Sequence, residues 1–151
     1  MTQQTDLQVH IREMDSVDIG DVTRIDELVT GKYRPDDWEE RITYHLRRDP
    51  DAAKVAELDG EVIGFMLGEV RSGEFGLEEP SGWIEVLGVD PEHQGHAVGR
   101  QLAEAMIDYF KSRGAQTVHT LVDESMEDIA GFFSSLGFEP ASLRPFVKTL
   151  S

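Results

Sequence analysis

The sequence predicts a mixed α/β domain, and three observations carry that expectation. Apolar residues alternate with polar ones in several short stretches and recur every three or four residues in others. The dipeptide Asp59-Gly60 separates two apolar runs, as a two-residue hairpin turn requires. A loop of small residues, 90–100, joins a strand-like run to a helix-like one. The order along the chain is strand, two helices, three strands, helix, strand, helix, strand, without internal repeats or low-complexity tracts.

Each element has its own justification. Leu7, Val9 and Ile11 alternate with Gln8, His10 and Arg12, the period of a strand with one buried face. Asp15 and Ser16 are N-cap types ahead of Val22, Ile25, Leu28 and Val29 at helical spacing, and Gly31 supplies the stop. Pro35, Asp36 and Asp37 suit a first helical turn, after which Trp38, Ile42 and Leu46 form one stripe ended by Asp49-Pro50. Residues 54–58 and 61–70 are the hairpin strands. The stretch 71–82, with Gly73, Gly76, Gly82 and Pro80, reads as a loop near the sheet edge that lines a substrate entrance.

A fourth strand, 83–89, is apolar on both faces and therefore central. Strict alternation places Trp83, Glu85, Leu87 and Val89 on one face and Ile84 and Val86 on the other. From Gly99 onward Leu102, Met106, Tyr109 and Phe110 are helical, and Gly114 is a natural residue just past the end. Residues 118–122 are a fifth strand. Ile129, Phe132, Phe133 and Leu136 mark a last helix with Ser125 as its N-cap and Gly137 as its stop, and 143–150 is expected to close the sheet.

A chain of 151 residues with 39% hydrophobic and 29% charged content suits one domain, 1–151. No apolar run approaches the roughly 20 residues a bilayer span needs. The polar start Met1-Thr2-Gln3-Gln4-Thr5-Asp6 has neither the basic segment nor the apolar core of a signal peptide. The expectation is a cytoplasmic protein with no membrane partner. With no cysteine, disulfides, thiolate nucleophiles and Cys-based zinc sites drop out, and no metal is expected. Thirty acidic residues against fourteen basic, a formal net charge of −16, oppose nucleic acid as a partner and favour the approach of cations. Arg outnumbers Lys ten to four, so the acidity also fits adaptation to a high-salt cytoplasm.

Between the fourth strand and third helix runs Asp90-Pro91-Glu92-His93-Gln94-Gly95-His96-Ala97-Val98-Gly99-Arg100. A helix start leaves N–H groups unpaired and carries roughly half a positive charge, so phosphates dock there without lysines, and small residues permit close approach. Neither G-x-x-x-x-G-K-[ST] nor G-x-G-x-x-G occurs, which removes the usual nucleotide-hydrolysis and dinucleotide loops.

The pattern Val89-x-Pro91-x-x-Gln94-Gly95-x-Ala97-x-Gly99 resembles the acetyl-coenzyme A loop of the GNAT superfamily of N-acetyltransferases, whose core is Q/R-x-x-G-x-G/A. Ala97 stands where glycine is usual. Phe132-Phe133-Ser134-Ser135-Leu136-Gly137-Phe138 resembles that family's late helix ending in L-G-F, and the element order agrees from Leu7 to Leu150. The resemblance implies a mostly antiparallel mixed sheet of six or seven strands, about four flanking helices, and fourth and fifth strands that splay apart. It implies acetyl-CoA as cosubstrate, with Leu87, Gly88 and Val89 pairing to the pantetheine arm. Gln94, Gly95, His96, Ala97, Val98, Gly99 and Arg100 would surround the pyrophosphate, and Ser125 and Phe132 would contact the cofactor.

Direct acetyl transfer needs a neutral amine, a polarised carbonyl and a proton for the departing thiolate. Glu85, expected beside Leu87 and Val89, is the candidate general base, with neighbours that raise its pKa. Where the family places a tyrosine proton donor this chain has Phe133, leaving Tyr44, Ser125, Ser134, water or the ammonium product to supply the proton. Glu69, Glu74, Glu78, Glu79 and Glu85 are candidate recognition charges for a small-molecule or peptide amine, with Tyr33, Trp38 and Tyr44 as one wall. The second reading is a catalytically weak acyl-CoA sensor or regulatory domain of the same fold. A homodimer is compatible with the sequence.

Overall fold

The computed structural model describes residues 7–73 and 78–151, so Glu74 and residues 1–6 lie outside the described residues. Among the described residues the helices and strands follow in the order β1 (His10–Glu13), α1 (Ile19–Thr30), α2 (Pro35–Arg48), β2 (Ala53–Leu58), β3 (Glu61–Arg71), β4 (Ser81–Val89), α3 (Val98–Ser112), β5 (Thr117–Thr120) and α4 (Glu127–Ser135). The sheet order is β1-β2-β3-β4-β5. Its first four strands pair antiparallel and β4 pairs parallel to β5. A parallel neighbour needs a crossover, and α3 provides it.

Local chemistry sets most boundaries. Asp59 and Gly60 take φ of 53° and 82°, the two left-handed positions of the hairpin between β2 and β3. Gly31 ends α1 at φ 78°, its N–H bonded to the Glu27 carbonyl. The start of α1 differs from expectation: Asp15 caps a short 3-10 turn, Ser16–Asp18, and α1 proper begins at Ile19. Asp18 closes that turn by accepting the Asp15 N–H at 2.8 Å.

Two apolar clusters lie on opposite faces of the sheet. On one face α3 contributes Val98, Leu102, Ala103, Met106 and Phe110, which meet Ala56, Ile63, Met66 and Ile84, with Phe133 of α4 joining them. On the other, Val22 and Ile25 of α1 and Trp38 and Ile42 of α2 cover Val55, Phe65 and Leu67. Gly82 makes the first face possible, because a Cβ there would lie 2.3 Å from the Phe110 ring.

β4 departs from strict alternation. Its pairing with β3 runs Leu67 to Val86 and then Gly68 to Ile84, which leaves Glu85 as the extra residue of a β-bulge. Glu85 and Val86 consequently lie on the α1/α2 side, where Glu85 meets His45 and Val86 packs on the second cluster. Leu87 and Val89 share the α3 side with Ile84. Glu85 is therefore not on the face of Leu87 and Val89. The bulge resets the phase that a two-residue period assumes.

Among the described residues the sheet has five strands instead of six or seven. Residues 143–150 form no strand, and Phe146, Val147 and Leu150 are exposed. Adjacent Phe146 and Val147 give this segment no single apolar face to lay on the domain, and Pro145 has no N–H for a ladder.

A buried ionic contact ties β1 to the turn before α1. Arg12 donates to both Asp18 oxygens at 2.8 Å and to Glu57 at 3.2 Å. Burial alone would raise the Asp18 carboxyl, but hydrogen bonds from Arg12 and the Asp15 N–H outweigh it and hold Asp18 below the usual carboxylate range. Asp26, gripped by the Arg34 fork at 3.1 and 2.7 Å, is lowered against burial in the same way.

Asp18→Ala should lower stability by about 3 kcal/mol, because it strands part of a buried charge pair, read as a fall in the urea midpoint. Depressed folded-state pKa values contribute stability above the unfolded value of roughly 3.9, lost as pH falls through the folded ones. The wild-type midpoint should thus hold near neutrality and fall in acid, and Asp18→Asn should flatten that fall. Gly82→Ala should cost about 2 kcal/mol through overpacking against Phe110.

Candidate functional site

The segment that leaves β4 is held at several points. Asp90 N–H donates to the Ile63 carbonyl at 2.8 Å, its Oδ1 accepts the Glu92 N–H at 3.0 Å, and its Oδ2 meets Arg24 at 3.2 Å. Arg24 also donates to the Val62 carbonyl at 3.0 Å, so α1, β3 and the loop share one guanidinium. After a 3-10 turn, Pro91–His93, Gln94 is extended, Gly95 takes φ 84° and Ala97 φ 64°, and α3 begins at Val98. The Leu7 N–H donates to the His96 carbonyl at 3.1 Å, and Gln101 Nε2 donates to the Leu7 carbonyl at 2.6 Å, strapping the loop from the N-terminal side.

No side chain caps the start of α3. Its first N–H groups therefore carry the uncompensated positive end of a 15-residue helix, the arrangement that receives an anion. Val98 is buried, while Gly95 and Arg100 are exposed and His96, Ala97 and Gly99 half-buried. Phe132 covers Gly99, since a Cβ on that glycine would lie 3.3 Å from the ring.

Some expected roles shift. The Gln94 side chain donates to the Val89 carbonyl at 3.0 Å, bracing the turn. Arg100 lies 3.8 Å from Glu104 one helical turn on. Ala97, which stands where glycine is usual, is in the left-handed region, which disfavours a Cβ. Ser125 is not the N-cap of α4: Met126 holds that position without a side-chain bond, and Ser125 instead donates through N–H and hydroxyl to Asp123 Oδ1 at 2.8 and 2.6 Å. Phe133 is buried against Phe132 and Phe138, with ring centroids 5.1 Å away in each case.

β4 and β5 part beside this loop. They pair only from Ser81 with Thr117 to Ile84 with Thr120, where the Thr120 hydroxyl donates to the Ile84 carbonyl at 2.9 Å. β5 stops there, but β4 runs on to Val89. The strands thus diverge at Glu85, and the open side of β4 leads straight to the α3 start.

On the α2 side of this opening sits a cluster of charges. Glu85 Oε2 lies 3.0 Å from His45 Nε2 and 3.6 Å from Arg41, and Oε1 lies 3.8 Å from Arg71. Glu69 approaches Arg71 at 3.5 Å and Arg48 at 4.0 Å. The Glu85 carboxyl is held down to about 2, first by the His45 hydrogen bond; burial opposes this, and Glu69 and Arg41 add to the lowering. The expected elevation of its pKa is thereby reversed. Glu78 and Glu79 are exposed. Tyr44 is exposed and bonded to Arg48, and Trp38 is buried edge-on to Phe65 at 5.3 Å.

Sequence reasoning missed His45, Arg24 and Gln101. His45 is the one polar member of the Trp38, Ile42, His45 stripe, a polar group on an apolar helical face and hence the signal that was there to read. Arg24 and Gln101 act on residues 66 and 94 positions away, and nothing local marks them.

Comparison with known proteins yields three kinds of finding. Residues 20–138 match the family described as the acetyltransferase (GNAT) family. A mycothiol acetyltransferase of Thermobispora bispora is 37% identical over 90 residues, covering 60% of this chain and 30% of that protein. Acetyltransferase ECA0875 of Pectobacterium atrosepticum is 29% identical over 103 residues, 68% of each chain. The chain spans about 30% of the length of the mycothiol acetyltransferases it matches. Among solved structures, an aminoglycoside N-acetyltransferase AAC(6')-Iy in complex with CoA superposes with a TM-score of 0.82 at 20% identity, covering 94% of this chain and 95% of that one. A transcriptional regulator from Bacillus halodurans C-125 gives 0.79 at 21% identity over 95% of this chain and all of that one. These two share the fold.

Ala97→Gly should raise stability by about 1 kcal/mol, because glycine removes the left-handed penalty, read as a higher thermal midpoint without ligand.

Proposed function

We propose that this chain, which belongs to the acetyltransferase (GNAT) family, binds acetyl-CoA and transfers its acetyl group to a small primary amine by direct attack. The observation that carries this reading is the uncapped α3 start lying at the end of the opening between β4 and β5. The N–H groups of 95–100 would hold the pyrophosphate. Leu87, Gly88 and Val89 would hold the pantetheine along the open side of β4, with Phe132 against it and Ser125 near its outer end. Such a cradle needs no lysine, which suits a chain of net charge −16.

In the transfer, the amine nitrogen forms the new C–N bond, the C–S bond breaks, and coenzyme A leaves as the thiolate. Held at about 2, Glu85 is a carboxylate throughout the neutral range and a poor match for a proton acceptor, which works best near the operating pH. Its part is to draw the cationic amine to the mouth of the opening and orient the free base by accepting an N–H bond. His45 and Arg41 behind it keep it ionised. The amine loses its proton to water, and the thiolate regains one from water or from the ammonium product, because buried Phe133 has no proton to give. The names of the mycothiol and aminoglycoside relatives support a small acceptor, and the acidic surface supports a cationic one.

Buried Phe133 and left-handed Ala97 favour a second reading, an acyl-CoA sensor without turnover. Titrating acetyl-CoA by calorimetry and following thiol release with polyamines, amino acids, aminoglycosides and peptides separates the two. Release with at least one amine is expected. Binding without release would select the sensor, and no binding would remove both.

Glu85→Gln should raise the acceptor KM about tenfold, the worth of a charge-assisted hydrogen bond, and leave the acetyl-CoA KM unchanged. In the parent, kcat/KM should rise with pH along the ionisation of the acceptor amine, with no inflection from Glu85 near neutrality. An inflection that vanishes in Glu85→Gln would instead make Glu85 the base.

A further inference from the structure

The α2 face beside Glu85 carries more positive charge than the facing carboxylates neutralise. Arg41, His45 and Arg48 recur at steps of four and three, which puts them on one side of the helix. They meet Glu85 and Glu69, and Arg71 approaches both carboxylates. Among the described residues this network sets the guanidiniums of Arg41, Arg48 and Arg71 against the carboxylates of Glu69 and Glu85. In a chain of net charge −16 a local excess of cation runs against the composition, and a purely cationic amine does not answer it.

The surplus falls on Arg48. Arg71 is placed between the two carboxylates, 3.8 Å from Glu85 and 3.5 Å from Glu69. Arg41 is 3.6 Å from Glu85 and lies over the Trp38 ring. Arg48 is 58% exposed, comes no nearer to Glu69 than 4.0 Å, and donates through Nη1 to the Tyr44 hydroxyl. It also lines a cavity of about 260 Å³ together with Tyr44, His45, Asp49, Glu69 and Arg113. His45 and Glu69 belong to the Glu85 cluster as well, so cavity and cluster share a wall. The carboxylates of the cavity are engaged: Asp49 accepts the Tyr109 hydroxyl at 2.5 and 2.6 Å, and Glu69 meets Arg71. Its guanidiniums are bonded to neutral phenols, Arg48 to Tyr44 and Arg113 to Tyr109 at 3.0 Å.

Resting on the acetyl-transfer reading above, we propose that the acceptor is an amino carboxylate, with its amine on Glu85 and its carboxylate on Arg48 in this cavity. A carboxylate matches the planar guanidinium through two parallel N–H bonds, which a phenol hydroxyl cannot do. Glu69 stands between the two positions, so amine and carboxylate are several bonds apart, as in an ω-amino acid. With no net charge, such an acceptor is not repelled by the acidic surface. The amine nitrogen forms the C–N bond, the C–S bond breaks, coenzyme A leaves as the thiolate and the amine proton passes to water. The product is an N-acetylamino carboxylate.

The test pairs 4-aminobutanoate and 6-aminohexanoate with their uncharged amides, which keep the amine and the length. Thiol release reads turnover, and calorimetry on protein saturated with coenzyme A reads acceptor binding alone. At least one acid should surpass its amide in kcat/KM by about tenfold, the worth of a charge-assisted hydrogen bond, with the difference in KM. Arg48→Gln should bring that ratio close to one, and Arg48→Lys, which keeps the charge without the fork, should fall between. Arg48 is exposed, so the circular dichroism spectrum should hold in both variants. Acids no better than their amides, or a preference that survives in Arg48→Gln, would overturn the proposal and leave acetyl transfer standing. No release with any amine would remove the transfer reading. Acid-selective binding that is lost in Arg48→Gln would then still uphold the cavity as a carboxylate site, and its absence would overturn that as well.

Discussion

The β-bulge at Glu85 is the constraint on which the site depends. One extra residue in β4 puts Glu85 and Val86 side by side on the α1/α2 face and turns Leu87 and Val89 toward α3. A bulge also increases local twist, and β4 parts from β5 immediately before it, at Ile84. A single insertion therefore separates two surfaces of different chemistry. One is apolar and leads to the α3 start; the other is charged and faces α2. An acyl donor and an amine acceptor need this division, because one carries a long uncharged arm and the other a cation.

The loop at the end of β4 is rigid for reasons that lie outside it. Asp90 is fixed from β3 and α1, His96 and Gln101 are tied to Leu7, and Gln94 braces the Val89 carbonyl. These bonds hold Gly95 and Ala97 in left-handed conformations and leave the first turn of α3 without a side-chain cap. An uncapped, orientated helix end is unfavourable alone and favourable with an anion. The strain at Ala97 sits where the neighbouring contacts can maintain it.

The charge balance looks different once residues are placed. In a chain of net charge −16, Arg12, Arg24, Arg34 and Arg41 are each bound to carboxylates that would otherwise repel within the fold. Asp18 and Asp26 are nearly buried and depend on those partners. Glu85 and Glu69 form the same kind of network, but half-buried at the mouth of an opening, where a bound cation can join it.

Period and punctuation made the element order, the Asp59-Gly60 turn, the Gly31 stop and the loop from 90 to 100 legible in the sequence, because each depends on neighbours a few residues away. The same locality explains what was not legible. A bulge is a property of pairing between β3 and β4, so alternation put Glu85 on the wrong face and its pKa in the wrong direction. The expected strand at 143–150 did not form, because adjacent Phe146 and Val147 give it no single apolar face, and Ser125 turned to Asp123 instead of capping α4. By itself the sequence determined the elements from β1 to α4 and the position of the loop between β4 and α3. Only the tertiary structure decided where β4 opens, which cations surround Glu85 and what straps the loop, because those contacts join residues tens of positions apart.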